Sequence, residues 1–235
     1  MQIPKALASG IVIDLAALDL THINLFKDIA EPLGRIARFD GHTPGGAYSV
    51  AQHCVMGADA LMAETGDRAL AMAFLIHDAH EAIIGDIATP AVRMFDHYVV
   101  PVRPNIVSNA IAAAKEAIDE HLEQMAGFLP VKGSVFDDKL ARIHPTLRAR
   151  VAEADRRMLN AERLAFLPHG SPEEAWSADI LTAEPIDIER VFWTPPHAAR
   201  EWIGRWIGWH PANGGYAMSA IAPVSEIACK PPTPK

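Results

Sequence analysis

The stretch FLIHDAHEAIIGDIATP, Phe74 to Pro90, carries the periodicity from which the fold is read. Leu70, Phe74, His77, Glu81 and Ile84 recur at steps of four, three, four and three residues, the spacing of one helical face. That predicts a helix from about Arg68 to Ile84, with Gly85 placed to end it. Two ionisable side chains, His77 and Glu81, therefore lie inside an apolar stripe. A buried charge without a partner is expensive, so each needs a metal, an opposite charge or a hydrogen-bond network. Asp78, beside His77, reaches the same point from the edge of the stripe.

The neighbouring helices repeat the anomaly. Upstream, Ser49 and Gln52 have capping-box spacing and open a helix from Val50 to about Ala63, closed by the turn Thr65-Gly66-Asp67. Its apolar face, Val50, His53, Cys54, Gly57, Ala58 and Leu61, again carries a histidine. Downstream, a helix from about Asp137 to Leu167 presents Leu147, Val151, Ala154, Met158, Ala161 and Ala165, with Asp155 flanking the stripe. His53, His77, Asp78 and Asp155 are thus carried towards one interior by three helices. Two imidazoles and two carboxylates make a mixed nitrogen and oxygen set that suits Mn, Co, Fe, Zn or Mg, with water in the open positions.

Elsewhere DIAEPLGRIARF, from Asp28, reads as a short helix and Asn105 to about Phe128 as a long one, with Pro90, Pro101 and Pro104 punctuating the stretch between. No internal repeat and no alternating strand pattern is visible. The expected fold is all-α, with helices packed about one core. Residues 1–27 form an N-terminal segment and 28–168 the helical domain. Residues 169–235 form an irregular extension rich in proline and tryptophan, with one amphipathic helix, His197 to Trp209. Ile203, Trp206 and Ile207, with Trp202 nearby, predict a packed terminal helix or a subunit contact, because the flanks lack the dense basic face of a membrane anchor. The last six residues, Lys230 to Lys235, include three prolines and are expected to be disordered.

Composition bounds the function. The chain has 235 residues, 50% of them hydrophobic, enough to bury a core. Cys54 and Cys229 form no CxxC pair, so neither a disulfide framework nor a thiolate zinc site is expected, and the setting is read as reduced and cytoplasmic. No signal peptide and no membrane span is predicted. A net charge of −8 lacks the basic footprint that a nucleic-acid polymer requires. It leaves room for a small phosphorylated ligand, neutralised locally by a cation and an arginine.

His53, the adjacent His77-Asp78 and Asp155 resemble the H…HD…D signature of the HD phosphohydrolase superfamily. The wider pattern HDxxExxxGDxxTP, read at His77, Asp78, Glu81, Gly85, Asp86, Thr89 and Pro90, is similar to bacterial 5′-deoxynucleotidases and their phage relatives that hydrolyse deoxynucleoside triphosphates such as dATP. Arg38, fifteen residues before His53, matches an arginine that those nucleotidases use on the phosphate, and Phe39 replaces the tryptophan often found after it. Gln52 stands where they often have glutamate. The segment DIAEPLGRIARFDGHTPGGAYSVAQH looks most like the phage branch, and the resemblance covers about residues 28–167.

The resemblance implies an HD-domain bundle in which His53, His77, Asp78 and Asp155 hold a divalent cation that activates water against phosphorus. Glu81 would orient that water or act as general base, and Asp86 would act as the acid or hold the sugar. Arg38 and Phe39 would meet the substrate, with Arg38 alternatively pairing with Asp40 or capping the preceding helix. Arg93 is a candidate second phosphate-binding cation, with solvated surface as the alternative. His80 falls off the stripe and is expected on the surface; His97 also lies near the motif, and His42 could line the pocket. Relatives assemble as homo-oligomers, so one is expected here. Competing functions are hydrolysis of another phosphoester, such as a cyclic dinucleotide or guanosine tetraphosphate, and a non-catalytic nucleotide sensor.

Overall fold

The central helix is opened by Ser49, whose hydroxyl accepts a hydrogen bond from the Gln52 N–H at 3.2 Å, and is closed at Gly66, left-handed at φ +63°. This helix, Val50–Thr65, buries Val50 to Val55 almost without interruption, and Gly57, Ala58 and Leu61 beyond them. A helix buried on nearly every side must be wrapped by others. The computed structural model describes residues 1–99, 105–128, 145–167 and 173–213. Within them the helices are α1 (Glu31–Arg35), α2 (Val50–Thr65), α3 (Arg68–Ile76), α4 (Glu81–Ile84), α5 (Thr89–Val99), α6 (Ile106–Met125), α7 (Pro145–Phe166), α8 (Ala178–Thr182) and α9 (Pro195–Trp209). The fold is all-α. Helices α1, α3, α7 and α9 surround α2. No described helix is long and apolar enough to cross a membrane.

Four features depart from the sequence expectation. First, Pro4–Ala6 and Val12–Asp14 pair as a short antiparallel hairpin, turned at Gly10 (φ +91°). Strands of three residues are too short to display alternation. Second, the helix expected across Arg68 to Ile84 stops at Ile76. The Ala79, Glu81 and Ala82 N–H groups bond to the carbonyls of Ile76, Asp78 and Ala79, three residues back, before α4 resumes. Such tightening is a 3₁₀ preference that side-chain periodicity does not reveal. Third, Thr89-Pro90 starts α5 instead of interrupting it, because proline is well tolerated in the first helical turn. Asp96 on α5 then accepts from the Val107 and Ser108 N–H groups and caps α6. Fourth, the helix from Asp28 is a wide π turn, Leu25–Ala30, followed by α1, after which the chain extends. The expected helix start at Asp137 and the expected disorder of Lys230 to Lys235 lie outside the described residues.

The segments flanking 28–168 share its core. Ile13 and Leu20 are buried in it, and α9 inserts Ala198, Ala199, Trp202 and Trp206. The terminal helix is therefore packed, with Trp202 fully buried and Ile207 half-exposed. Truncating a core tryptophan typically costs about 3–5 kcal/mol, so α9 is a structural member of the bundle. Arg205 fastens it to α2 through two bonds to Asp59, at 3.0 and 2.8 Å.

Helices α2 and α3 approach closely at Gly57, where a Cβ would stand 2.2 Å from Cε1 of Phe74. Gly57→Ala is therefore expected to lower stability by about 1–3 kcal/mol through overpacking, despite alanine's better helix propensity. Urea denaturation checks this; an unchanged or raised midpoint would contradict the close approach.

Candidate metal centre

His53 projects from the second turn of α2, His77 and Asp78 stand in the tightened turn after α3, and Asp155 comes from the middle of α7. The overwound turn lets two adjacent residues face one point. His53 Nε2 lies 3.4 Å from His77 Nε2 and 3.4 Å from Asp155 Oδ1. His77 Nε2 lies 3.6 Å from Asp155 Oδ1 and 3.3 Å from Asp78 Oδ2, which is 3.7 Å from His53 Nε2. The four predicted ligands are brought together.

The outer nitrogens are committed elsewhere. His77 Nδ1 donates to the Phe74 carbonyl at 2.6 Å, and His53 Nδ1 meets Glu162 Oε1 at 2.5 Å. Each bond leaves Nε2 as the inward-facing atom, the arrangement that orients metal-ligating histidines. Ligands held about 2.0–2.2 Å from one cation in tetrahedral geometry stand roughly 3.3–3.6 Å apart, close to the separations seen here.

Arg38 joins the cluster, with Nη1 3.2 Å from Asp78 Oδ2 and Nη2 3.1 Å from Glu162 Oε2. Its backbone N–H bonds the Tyr48 carbonyl at 2.8 Å, and the chain turns sharply beyond it because Phe39 and Asp40 both adopt positive φ, 56° and 51°. Non-glycine residues in this region are strained, and such strain concentrates at functional sites. Arg38 pairs with neither Asp40 nor the end of α1. Phe39 lies against it, the guanidinium carbon 5.8 Å from the ring centroid.

Withdrawal from water opposes charge on every member of the cluster. His77 is nevertheless held well above the ordinary imidazole value of 6.5 by Asp78 and Asp155, and His53 above it by Glu162 and Asp155 against the repulsion of Arg38. Asp155 is held well below its ordinary 3.8 by the two imidazoles. Asp78 falls beside His77 and Arg38, and Glu162 falls beside Arg38 and His53. Glu81 goes the other way, to about 8, because it is buried and faces Asp78 and Asp86. Burial and Asp78 also raise Asp86, despite Arg38.

Arg93 does not reach the cluster; it is exposed on α5. His42 and His97 are exposed as well. His80 corrects the sequence expectation: it is 4% exposed, and its Nδ1 bonds Asp119 Oδ1 of α6 at 2.9 Å. The overwound turn rotates it off the face that an ideal helix would give it. Gln52 bonds the Val191 carbonyl at 2.7 Å and accepts from the Trp193 N–H at 3.1 Å, so it ties down the chain entering α9 and does not support the histidines. Glu162 was missed by sequence reasoning, although it lies seven residues after Asp155 on the same helix face. A cleft of about 260 Å³ opens beside His77 and Asp155, with apolar walls from Ala73, Ile76 and Val151 and the Glu123–Arg148 ion pair at its edge.

The pKa directions fix how stability depends on pH without metal. Raised imidazoles contribute stability that is full below 6.5 and lost as pH rises through their folded values. Lowered carboxylates contribute stability that is present above about 4–4.5 and lost as pH falls. The raised carboxyl of Glu81 adds a loss that develops between 4.5 and about 8. Chelator-treated protein is therefore expected to melt highest between about pH 4.5 and 6.5. Mn²⁺ is expected to raise the melting temperature more at pH 8 than at pH 5.5, since protons compete for the imidazoles. Scanning calorimetry with and without Mn²⁺ checks this; an equal shift at both pH values would contradict it.

No protein-family model matches the chain. Over 148 residues, covering 53% of this chain and 74% of the relative, it is 34% identical to Uncharacterized protein RCAP_rcc00048 of Rhodobacter capsulatus. At that identity and coverage, the chain belongs to the same family as the Rhodobacter capsulatus protein.

Proposed function

We propose that this protein is a metal-dependent phosphohydrolase of deoxynucleotides, acting on 5′-monophosphates or on triphosphates such as dATP. The observation that carries the reading is the convergence of His53, His77, Asp78 and Asp155 beside a cleft, with Arg38 against Asp78. The donor set fits a divalent cation: two imidazoles whose Nδ1 atoms are already committed, and two carboxylates whose ionised forms are favoured. Such a cation would lower the pKa of a bound water and polarise the phosphoryl oxygen.

The chain's own groups supply the rest. Arg38 clamps the phosphate; its Nε is buried without a hydrogen-bond partner among the described residues, and its planar fork suits phosphate oxygens. Glu81 lies next to the cluster with a pKa of about 8, so its carboxyl can both take up and return a proton near neutrality. Asp86 gives a proton to the leaving oxygen or holds the sugar. Phe39 lines the phosphate side. The apolar walls of the cleft beside His77 exclude water from the sugar and base. The partner in this reading is a small nucleotide, with no membrane or nucleic-acid polymer involved, and the working unit is a homo-oligomer.

The test is purified protein with Mn²⁺ or Co²⁺ and a panel of deoxynucleoside mono- and triphosphates, assayed for phosphate and tripolyphosphate. Release from at least one substrate is expected; none from any of them would defeat the reading. Glu81→Gln is expected to lower kcat by about 10²–10⁴-fold with metal still bound, the range for loss of a general base. Arg38→Ala is expected to raise KM. An unchanged kcat in Glu81→Gln would remove its assigned role.

A further inference from the structure

The two oxygens of the buried Glu162 carboxylate go to different members of the centre. Oε1 accepts from Nδ1 of His53 at 2.5 Å, and Oε2 accepts from Nη2 of Arg38 at 3.1 Å. The Tyr48 hydroxyl, itself buried, donates to the same carboxylate. We propose that Glu162 is a positioning residue for both halves of the site, aiming His53 at the cation and Arg38 at the phosphate. The proposal rests on the reading of the preceding section.

Three observations carry it. The first is the cost of the residue. Its neighbours on α7, Met158, Ala161 and Phe166, are buried and apolar, so packing alone would be served by a methionine at 162. Replacing a buried ion pair by apolar side chains of similar volume is often neutral or stabilising, so the glutamate contributes direction and not stability. The second is the imidazole. With Nδ1 of His53 donating to Oε1, Nε2 is turned to His77, Asp155 and Asp78, at 3.4, 3.4 and 3.7 Å. A carboxylate on the outer nitrogen is the usual support of a metal-ligating histidine. The third is the guanidinium. The Arg38 backbone is pinned to the Tyr48 carbonyl at 2.8 Å, and Glu162 and Asp78 each hold one Nη, at 3.1 and 3.2 Å. Held in one plane, the fork loses less freedom when it meets phosphate.

Binding measured apart from turnover tests this. Chelator-treated protein is titrated with Mn²⁺ while free Mn²⁺ is followed by electron paramagnetic resonance. Inorganic phosphate is then titrated calorimetrically at saturating Mn²⁺. Glu162→Met keeps the volume and removes both acceptors. It is expected to weaken Mn²⁺ by about 10–100-fold and phosphate by about 10-fold or more. Arg38→Ala is expected to weaken phosphate and not Mn²⁺. In the double variant the loss of phosphate affinity is expected to fall short of the sum of the two single losses, because Glu162 acts on phosphate through Arg38. A merely structural role would give additive losses. Near-ultraviolet circular dichroism monitors the fold. If Glu162→Met does not fold, Tyr48→Phe decides the matter. It removes one hydroxyl, keeps the ring stacked on Phe166 at 4.2 Å, and is expected to weaken Mn²⁺ by about 2–10-fold. Unchanged Mn²⁺ affinity in the deciding variant, or additive phosphate losses, would overturn the role of Glu162 and leave the metal assignment standing. A wild type that binds no Mn²⁺ would overturn both.

Discussion

Glu162 is a carboxylate with no exposure to water, and its charge is relieved chiefly by the guanidinium of Arg38 at 3.1 Å and the imidazole of His53 at 2.5 Å, with the Tyr48 hydroxyl beside them. Leaving such a charge unpaired costs several kcal/mol, so α7, α2 and the turn after α1 are held in one arrangement. The rest of the centre follows from that triangle. With Nδ1 of His53 on Glu162, Nε2 points at His77, Asp78 and Asp155. With one end of Arg38 on Glu162, its other end lies against Asp78. Both side chains are anchored at one end by Glu162, which orients them before any ligand arrives, while Arg38 Nε keeps no hydrogen-bond partner among the described residues.

Around this triangle the helices are placed by apolar packing. The ring of Phe74 fits where Gly57 provides no side chain, and it lies tilted against both imidazoles, its centroid 5.6 Å from that of His53 and 4.5 Å from that of His77. One aromatic side chain thus packs between α2 and α3 and against both imidazoles.

The clustering of these residues was legible because each is an ionisable residue in or beside an apolar stripe, and a stripe states which way its members face. His53, His77 and Asp155 were found that way, and Asp78 by adjacency. The same periodicity misled at the end of α3. It assumed 3.6 residues per turn through a segment that closes its bonds three residues back, and so it sent His80 to the surface when that residue is buried against Asp119. Glu162 was hidden for a different reason. A glutamate among Asn160, Arg163 and other polar residues of α7 looks like a solvated face unless the guanidinium opposite it is known. The packing of α9 was read correctly from its tryptophans, but its attachment through Gln52 was not, because a glutamine's partners 139 and 141 residues away leave no local trace.

The indole of Trp202 has one more consequence. Where α3 tightens, the Ala79 N–H turns to the Ile76 carbonyl, so the Leu75 carbonyl is released from the helical ladder, and Trp202 Nε1 donates to it at 3.0 Å. The carbonyl freed by the overwound turn is thereby capped from the far end of the chain. Opening of α9 exposes that carbonyl and removes the reason for the turn to keep its shape. One hydrogen bond thus couples the C-terminal helix to the turn that carries His77 and Asp78, so local opening of the one is expected to loosen the other.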